Sequence, residues 1–163
     1  MELLMKLILT LLTFFSTSLL AAQKADFVVV SKKEETLTLY KNQKVLGVYP
    51  VVFGTNPVGH KQQEGDRKTP EGRYVLDYKK TNSSFYKAIH ISYPNAQDIA
   101  NAKKRGISPG GAIMVHGQPN GFEWAEDITQ LRNWTHGCIA LKNKDLDAVW
   151  GAVDAGTPIE ILP

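Results

Sequence analysis

Beyond residue 26 the apolar positions recur mostly with the two-residue period of β-strands. Phe27-Val28-Val29-Val30 is a β-branched run, and Thr36-Leu37-Thr38-Leu39-Tyr40 alternates strictly. Lys41-Asn42-Gln43-Lys44 supplies a turn into Val45-Leu46-Gly47-Val48-Tyr49, and Val51-Val52-Phe53 is expected to continue that strand past Pro50 as an edge or bulge. Asn56 to Thr69 is polar and glycine-punctuated, hence a loop. Strands are predicted again over Arg73–Tyr78 and Ala88–Ser92, with His90 a packed strand residue rather than a catalyst.

Helical spacing is rarer. Asn95 can cap a helix over Ala96 to Arg105, with Asp98 in its first turn and Gly106 as terminator. Asn143 can cap another, whose Leu146, Val149, Trp150 and Val153 form an apolar stripe before Gly156. Glu123 to Gln130 reads as a short amphipathic helix, with Trp124, Ile128 and Leu131 packed beside a cleft and its acids facing solvent or an incoming amine; a core role for Trp124 is the plain alternative. Thr157 to Ile161 returns as a last strand. A strand majority with peripheral helices defines a β-rich α+β domain built on a sandwich or barrel.

The first residues follow a different pattern. A start carrying Lys6 is followed by an almost wholly apolar or hydroxylic run, Leu7–Leu20, and by Ala21-Ala22. That is the layout of a secretory signal peptide, too short for a comfortable membrane span. Residues 1–22 are therefore expected to be removed, leaving 23–163 as a single periplasmic domain without stable membrane insertion. The formal net charge of +3 suits an anionic cell envelope. Its basic residues are scattered pairs and triplets among acids, so a nucleic-acid partner is not expected. Neither a cysteine/histidine metal-ligand spacing nor a phosphate-cradling glycine loop is present in the sequence.

Against that background the single cysteine stands out. Outside the cytosol a lone thiol cannot close an intramolecular disulfide, and Cys138 sits in Trp134-Thr135-His136-Gly137-Cys138-Ile139-Ala140-Leu141, a turn entering a short apolar strand. A turn there can expose the sulfur while backbone N–H groups face the same space, and Gly137 permits the dihedrals this needs. A thiol requires a base, and His136 and His116 are the candidates. His116 ends the run Ala112-Ile113-Met114-Val115, with Gly117 after it. No acidic or amide side chain is evidently placed to orient it, and a backbone carbonyl near Gly117 could do so.

These residues resemble the L,D-transpeptidase catalytic domain, the YkuD-like family of bacterial cell-wall enzymes. Gly65-Asp66-Arg67-Lys68-Thr69-Pro70-Glu71-Gly72 is similar to its glycine-aspartate, threonine-proline-glutamate-glycine loop. Ile113–Gly117 resembles its histidine-glycine motif, Thr135–Ile139 its cysteine signature, and Gly156–Ile161 its closing strand. The resemblance implies Cys138 as nucleophile, His116 as general base oriented by the Gly117 carbonyl, and an oxyanion pocket shaped by His136, Gly137 and the Cys138 amide. It implies no metal or organic cofactor. The implied substrates are peptidoglycan stem tetrapeptides, cut between an L-centred diamino acid and the fourth-position D-alanine, with transfer to an amine on a neighbouring stem to form 3-3 cross-links, a role in cell-wall biogenesis and cell shape. The chain departs from the family in a His116–Cys138 interval longer by a few positions, and in Ala140 where many members carry arginine or asparagine.

Two rival readings follow. Water as acceptor would make the protein an L,D-carboxypeptidase, or an amidase releasing wall-attached protein. A non-catalytic wall-binding module is the other, opposed by the joint presence of Cys138, His116 and His136. A papain-like protease fits poorly, because its histidine follows the cysteine by a long interval.

Overall fold

A computed structural model of the chain describes residues 23–163. The leader expected over residues 1–22 lies outside the described residues. Among the described residues eight strands form one sheet: β1 (Phe27–Ser31), β2 (Thr36–Lys41), β3 (Lys44–Pro50), β4 (Gly72–Lys80), β5 (Ala88–Ile91), β6 (Met114–His116), β7 (Ile139–Ala140) and β8 (Thr157–Leu162), in the order β3-β2-β1-β8-β4-β5-β6-β7. Helices α1 (Ala96–Lys104), α2 (Glu126–Thr129) and α3 (Asn143–Ala152) and a 3₁₀ turn at Glu123–Ala125 lie outside it.

The alternation in the sequence becomes an inside and an outside. Val28 and Val30 of β1 and Leu37 and Leu39 of β2 are essentially inaccessible, while their neighbours are partly exposed. Asn42 and Gln43 both adopt positive φ (49° and 64°), the geometry of a two-residue hairpin whose twist matches the strands it joins.

The sheet curls because its two edges are stitched together. β3 stops at Pro50, and Val51-Val52-Phe53 does not extend it. Val52 instead bridges Ala140 on the opposite edge, exchanging hydrogen bonds of 3.0 and 2.9 Å, and Gly54 bridges Thr135. Pro50 has no N–H for the ladder, so the strand ends there and its continuation is free to change partner. A curled half-barrel results, with Phe53, Leu76, Ile89, Ile91, Ile139 and Leu141 in its core.

The helices close the ends. Asn95 and Asp98 form a capping box on α1, Asn95 Oδ1 accepting from Gln97 N and Asp98 N while Asp98 accepts from Asn95 N. Leu146, Val149 and Val153 are buried against the sheet, each contributing about 1.5–3 kcal/mol relative to exposure. Asn143 is the first residue of α3 rather than its cap. Its Oδ1 accepts from Gln118 N at 2.8 Å, and this long-range bond displaces the local one.

The segment Glu123–Gln130 is also not one amphipathic helix packed by its apolar side chains beside the cleft. It divides into the 3₁₀ turn and the single-turn α2, and Trp124, Ile128 and Leu131 are 76 %, 60 % and 81 % exposed. Polar groups anchor it instead: Thr129 Oγ1 donates to the buried Gln118 side chain, and Glu126 accepts from Asn143 N. The core alternative for Trp124 is thereby overturned. Trp124→Ala is expected to change stability by no more than about 0.5 kcal/mol, as surface changes do, checked by thermal unfolding.

Candidate active site

β6 and β7 run parallel, Val115 beside Ile139 and His116 beside Ala140. Val115, Ile139 and Leu141 face the core, so Met114, His116, Cys138 and Ala140 share the other face. Cys138 thus stands diagonally across adjacent strands from His116, and both line one cleft of about 400 Å³ with Phe85, Trp134, Ser84 and Lys80. A second cleft of about 430 Å³, lined by Arg67, Glu64, Gly111 and Ile113, meets the first at Ala112, His136 and Cys138.

His116 is 3 % exposed, its ring against Phe85 (centroids 4.6 Å) and Trp134 (5.7 Å). Nδ1 lies 2.7 Å from the Gly117 carbonyl oxygen. That oxygen can only accept, so Nδ1 carries the proton and Nε2 keeps a lone pair. Burial pushes the imidazole pKa down to about 4, against the opposing effect of the Gly117 carbonyl. The residue is therefore neutral and basic at Nε2 across the physiological range.

Cys138 Sγ accepts from Met114 N at 3.4 Å, and the thiol donates to Ala112 O at 3.7 Å. Burial raises the thiol pKa, partly offset by the Met114 N–H and the Lys61 charge. The resting pair is consequently a neutral thiol and a neutral imidazole, with one backbone N–H ready to stabilise negative charge on sulfur. His136 is exposed at the shared mouth of the clefts.

The turn around Cys138 depends on a residue sequence reasoning did not single out. The Thr135 hydroxyl donates to Cys138 O (2.7 Å) and accepts from Gly137 N (3.1 Å). The Gly137 amide, expected to help shape an oxyanion pocket, is thus held by Thr135, while the Cys138 amide makes no hydrogen bond among the described residues. Gly137 has φ 125°, and a Cβ there would lie 2.6 Å from Lys68 O. Gly54, also missed, is packed so that a Cβ would lie 2.0 Å from Arg67 O. The 65–72 loop therefore presses its backbone directly on the cysteine turn, which gives its motif a physical role.

Asp66 fastens that loop. It accepts from Gln62 N (2.7 Å), Gln63 N (3.0 Å), Lys68 N (3.1 Å) and the buried Lys61 ammonium (2.8 Å). Burial alone would raise its pKa, but the amides of Gln62, Lys68 and Gln63 and the Lys61 ammonium together hold it below the usual carboxylate range. A depressed carboxylate stabilises the fold above its ordinary pKa of about 4, and that contribution is lost as pH falls through the lowered value. Asp66→Asn leaves Lys61 buried without its counter-charge, so a loss of about 3–5 kcal/mol is expected. Urea unfolding of both proteins at a series of pH values checks this, the gap narrowing only at acid pH.

A further depression beneath α1, lined by His60, Tyr93, Asp98 and Arg105, is internally satisfied. Glu71 N donates to His60 Nδ1, His60 Nε2 and the Tyr74 hydroxyl donate to Asp98, and Arg105 donates to Gln62. His90 lies in β5 on Tyr78 and beside Asp77, as a structural strand residue should.

A curled sheet thus carries a cysteine and a base-form histidine on neighbouring strands, with the backbone of a threonine-proline loop pressed against the cysteine turn. The chain belongs to the L,D-transpeptidase catalytic domain family, YkuD, whose sequence profile matches residues 25–161. It is 31 % identical over 142 residues to YafK of Escherichia coli (strain K12), itself assigned to the L,D-transpeptidases only provisionally, covering 81 % of this chain and 50 % of YafK. The chain therefore spans about half the length of that curated relative. Among solved structures it is similar to the helical cell shape determining protein Pgp2 of Campylobacter jejuni, at 27 % identity and TM-score 0.63, covering 85 % of this chain and 48 % of Pgp2. An L,D-transpeptidase of Mycobacterium tuberculosis H37Rv shares the fold, at 22 % identity and TM-score 0.57, with 85 % and 58 % covered.

Proposed function

We propose that this protein is a cysteine acyltransferase that acts on peptidoglycan stem tetrapeptides through a Cys138 thioester. One observation carries the reading: buried His116, held by the Gly117 carbonyl with its Nε2 lone pair free, shares a cleft with Cys138 where a second cleft opens.

The steps follow from those atoms. As sulfur attacks the carbonyl after the diamino acid, His116 Nε2 takes the thiol proton, so no thiolate need accumulate. The Met114 N–H supports charge on sulfur, and the uncommitted Cys138 N–H is the donor for the tetrahedral oxyanion. When the C–N bond breaks, the proton passes from His116 to the departing amine of D-alanine, leaving the thioester. An amine of a neighbouring stem then attacks, His116 takes its proton, and the thiol is restored. Asp66, Thr135, Gly54 and Gly137 act through the shape of the turn.

Exposure of His136 at the mouth favours one second reading, in which water reaches the thioester and the protein is a hydrolase, an L,D-carboxypeptidase or an amidase releasing wall-attached protein. Tetrapeptide-rich peptidoglycan incubated with the purified protein and resolved by mass spectrometry of its muropeptides separates these. Cross-linked dimers support transfer, whereas tripeptides or released protein support hydrolysis; unchanged muropeptides would refute both. The leader pattern of residues 1–22 supports a periplasmic site for the reaction, and amino-terminal sequencing from an envelope fraction tests it.

A further inference from the structure

The Cys138 clefts are chemically unequal. His116 lines only the Phe85/Trp134 cleft, and the proton it relays must reach the departing and attacking amines. Those amines therefore belong on that side, and the acyl half of the donor lies in the other cleft. There, Lys61 is already bound to Asp66 and Gln63 O. Two exposed charges line this cleft, Glu64 and Arg67. Their side chains make no hydrogen bond or ion pair with each other or with any described residue. Arg67 is nonetheless held in place. Its backbone has φ 57°, its carbonyl accepts from Asn56 N, and it abuts Gly54 next to the Asp66 clamp.

A free cation and a free anion in one cleft, close in sequence but unpaired, match a ligand carrying both charges. Resting on the acyl-transfer reading, we propose that Arg67 and Glu64 bind the zwitterionic amino-acid head at the end of the donor diamino acid's side chain. Arg67 takes its carboxylate and Glu64 its ammonium group. The cleft thereby selects donor stems whose diamino acid carries that second head and whose amine there is not already cross-linked. Both are specificity residues, remote from the reacting atoms.

Soluble tetrapeptides test the pairing, one unmodified, one amidated at the head carboxyl and one acetylated at the head amine. For the wild-type protein each modification is expected to lower kcat/KM about tenfold to a hundredfold, as loss of a charge-assisted hydrogen bond does. Arg67→Ala should cost the same on the unmodified peptide, be indifferent to amidation and stay sensitive to acetylation. Glu64→Gln should show the reverse, and Arg67→Lys should recover part of the loss, all with unchanged melting temperatures. Equal losses on all three peptides, or none, would overturn the assignment. Binding of the same peptides to the Cys138→Ala protein, by calorimetry, gives a readout free of turnover. Head-dependent binding without any wild-type turnover would refute the acyl-transfer reading while keeping the subsite, and binding indifferent to both modifications would refute the subsite.

Discussion

Cys138→Ala is expected to abolish turnover of stem tetrapeptides, a loss of about 10⁴-fold or more, while the protein folds and melts nearly as before. Removing the nucleophile of a covalent mechanism leaves only binding and the oxyanion donor to accelerate the reaction. The structural cost is small because Sγ sits where two clefts meet and its hydrogen bonds among the described residues are those with Met114 N and Ala112 O. Neither contact holds the turn, which the Thr135 hydroxyl closes through the backbone of residues 137 and 138. Steady-state assay and thermal unfolding on one preparation check both halves. Substantial turnover by the folded variant would exclude Cys138 as nucleophile.

His116 carries the second large effect. His116→Ala is expected to lower kcat/KM by about 10²–10⁴-fold, the usual worth of a positioned base, and more than His136→Ala does, because His136 is exposed at the mouth. Acid should act on the wild-type protein in the same direction. With its pKa pushed down to about 4, His116 remains a base until the pH approaches that value, so kcat/KM should stay level above about pH 5 and fall with one proton below about 4. Stability follows the same ionisation. The unfolded chain binds this proton near pH 6.5 and the folded one near 4, so stability falls as pH drops through that window, by about 3 kcal/mol once below it. His116→Ala also opens a cavity between Phe85 and Trp134, so its kinetics belong well below its melting temperature. His116→Gln, of similar volume but not basic, should show the same kinetic loss with less instability. A larger loss for His136→Ala than for His116→Ala in single-turnover acylation would reverse their assignment, and equal losses would remove the distinction.

Which of these features could be read from sequence depends on how far each contact reaches along the chain. β1, β2 and the α1 capping box are local patterns, and they stand where alternation and Asn95 put them. The shared face of His116 and Cys138 was also implicit, since each ends or begins a short apolar run whose next residues face the core. Long-range competition hid the rest. Asn143 carries a cap's side chain, but Gln118 N takes its oxygen. Val52 looks like more of β3 until Pro50 ends the ladder and the opposite edge offers Ala140. Gly54 shows its importance only once Arg67 O lies against it. The apolar spacing of Trp124, Ile128 and Leu131 predicted packing, yet the segment is tied down by Thr129 and Glu126 and leaves those side chains exposed.

A thioester on Cys138 is the intermediate on which the reaction depends, and intact-protein mass spectrometry of the purified protein, quenched in acid during turnover of a stem tetrapeptide, detects it. One adduct is expected, of the mass of the tetrapeptide less its terminal D-alanine, mapped by digestion to Cys138 and absent from Cys138→Ala. Consumption of the tetrapeptide with no adduct under any quench, or an adduct on another residue, would contradict it.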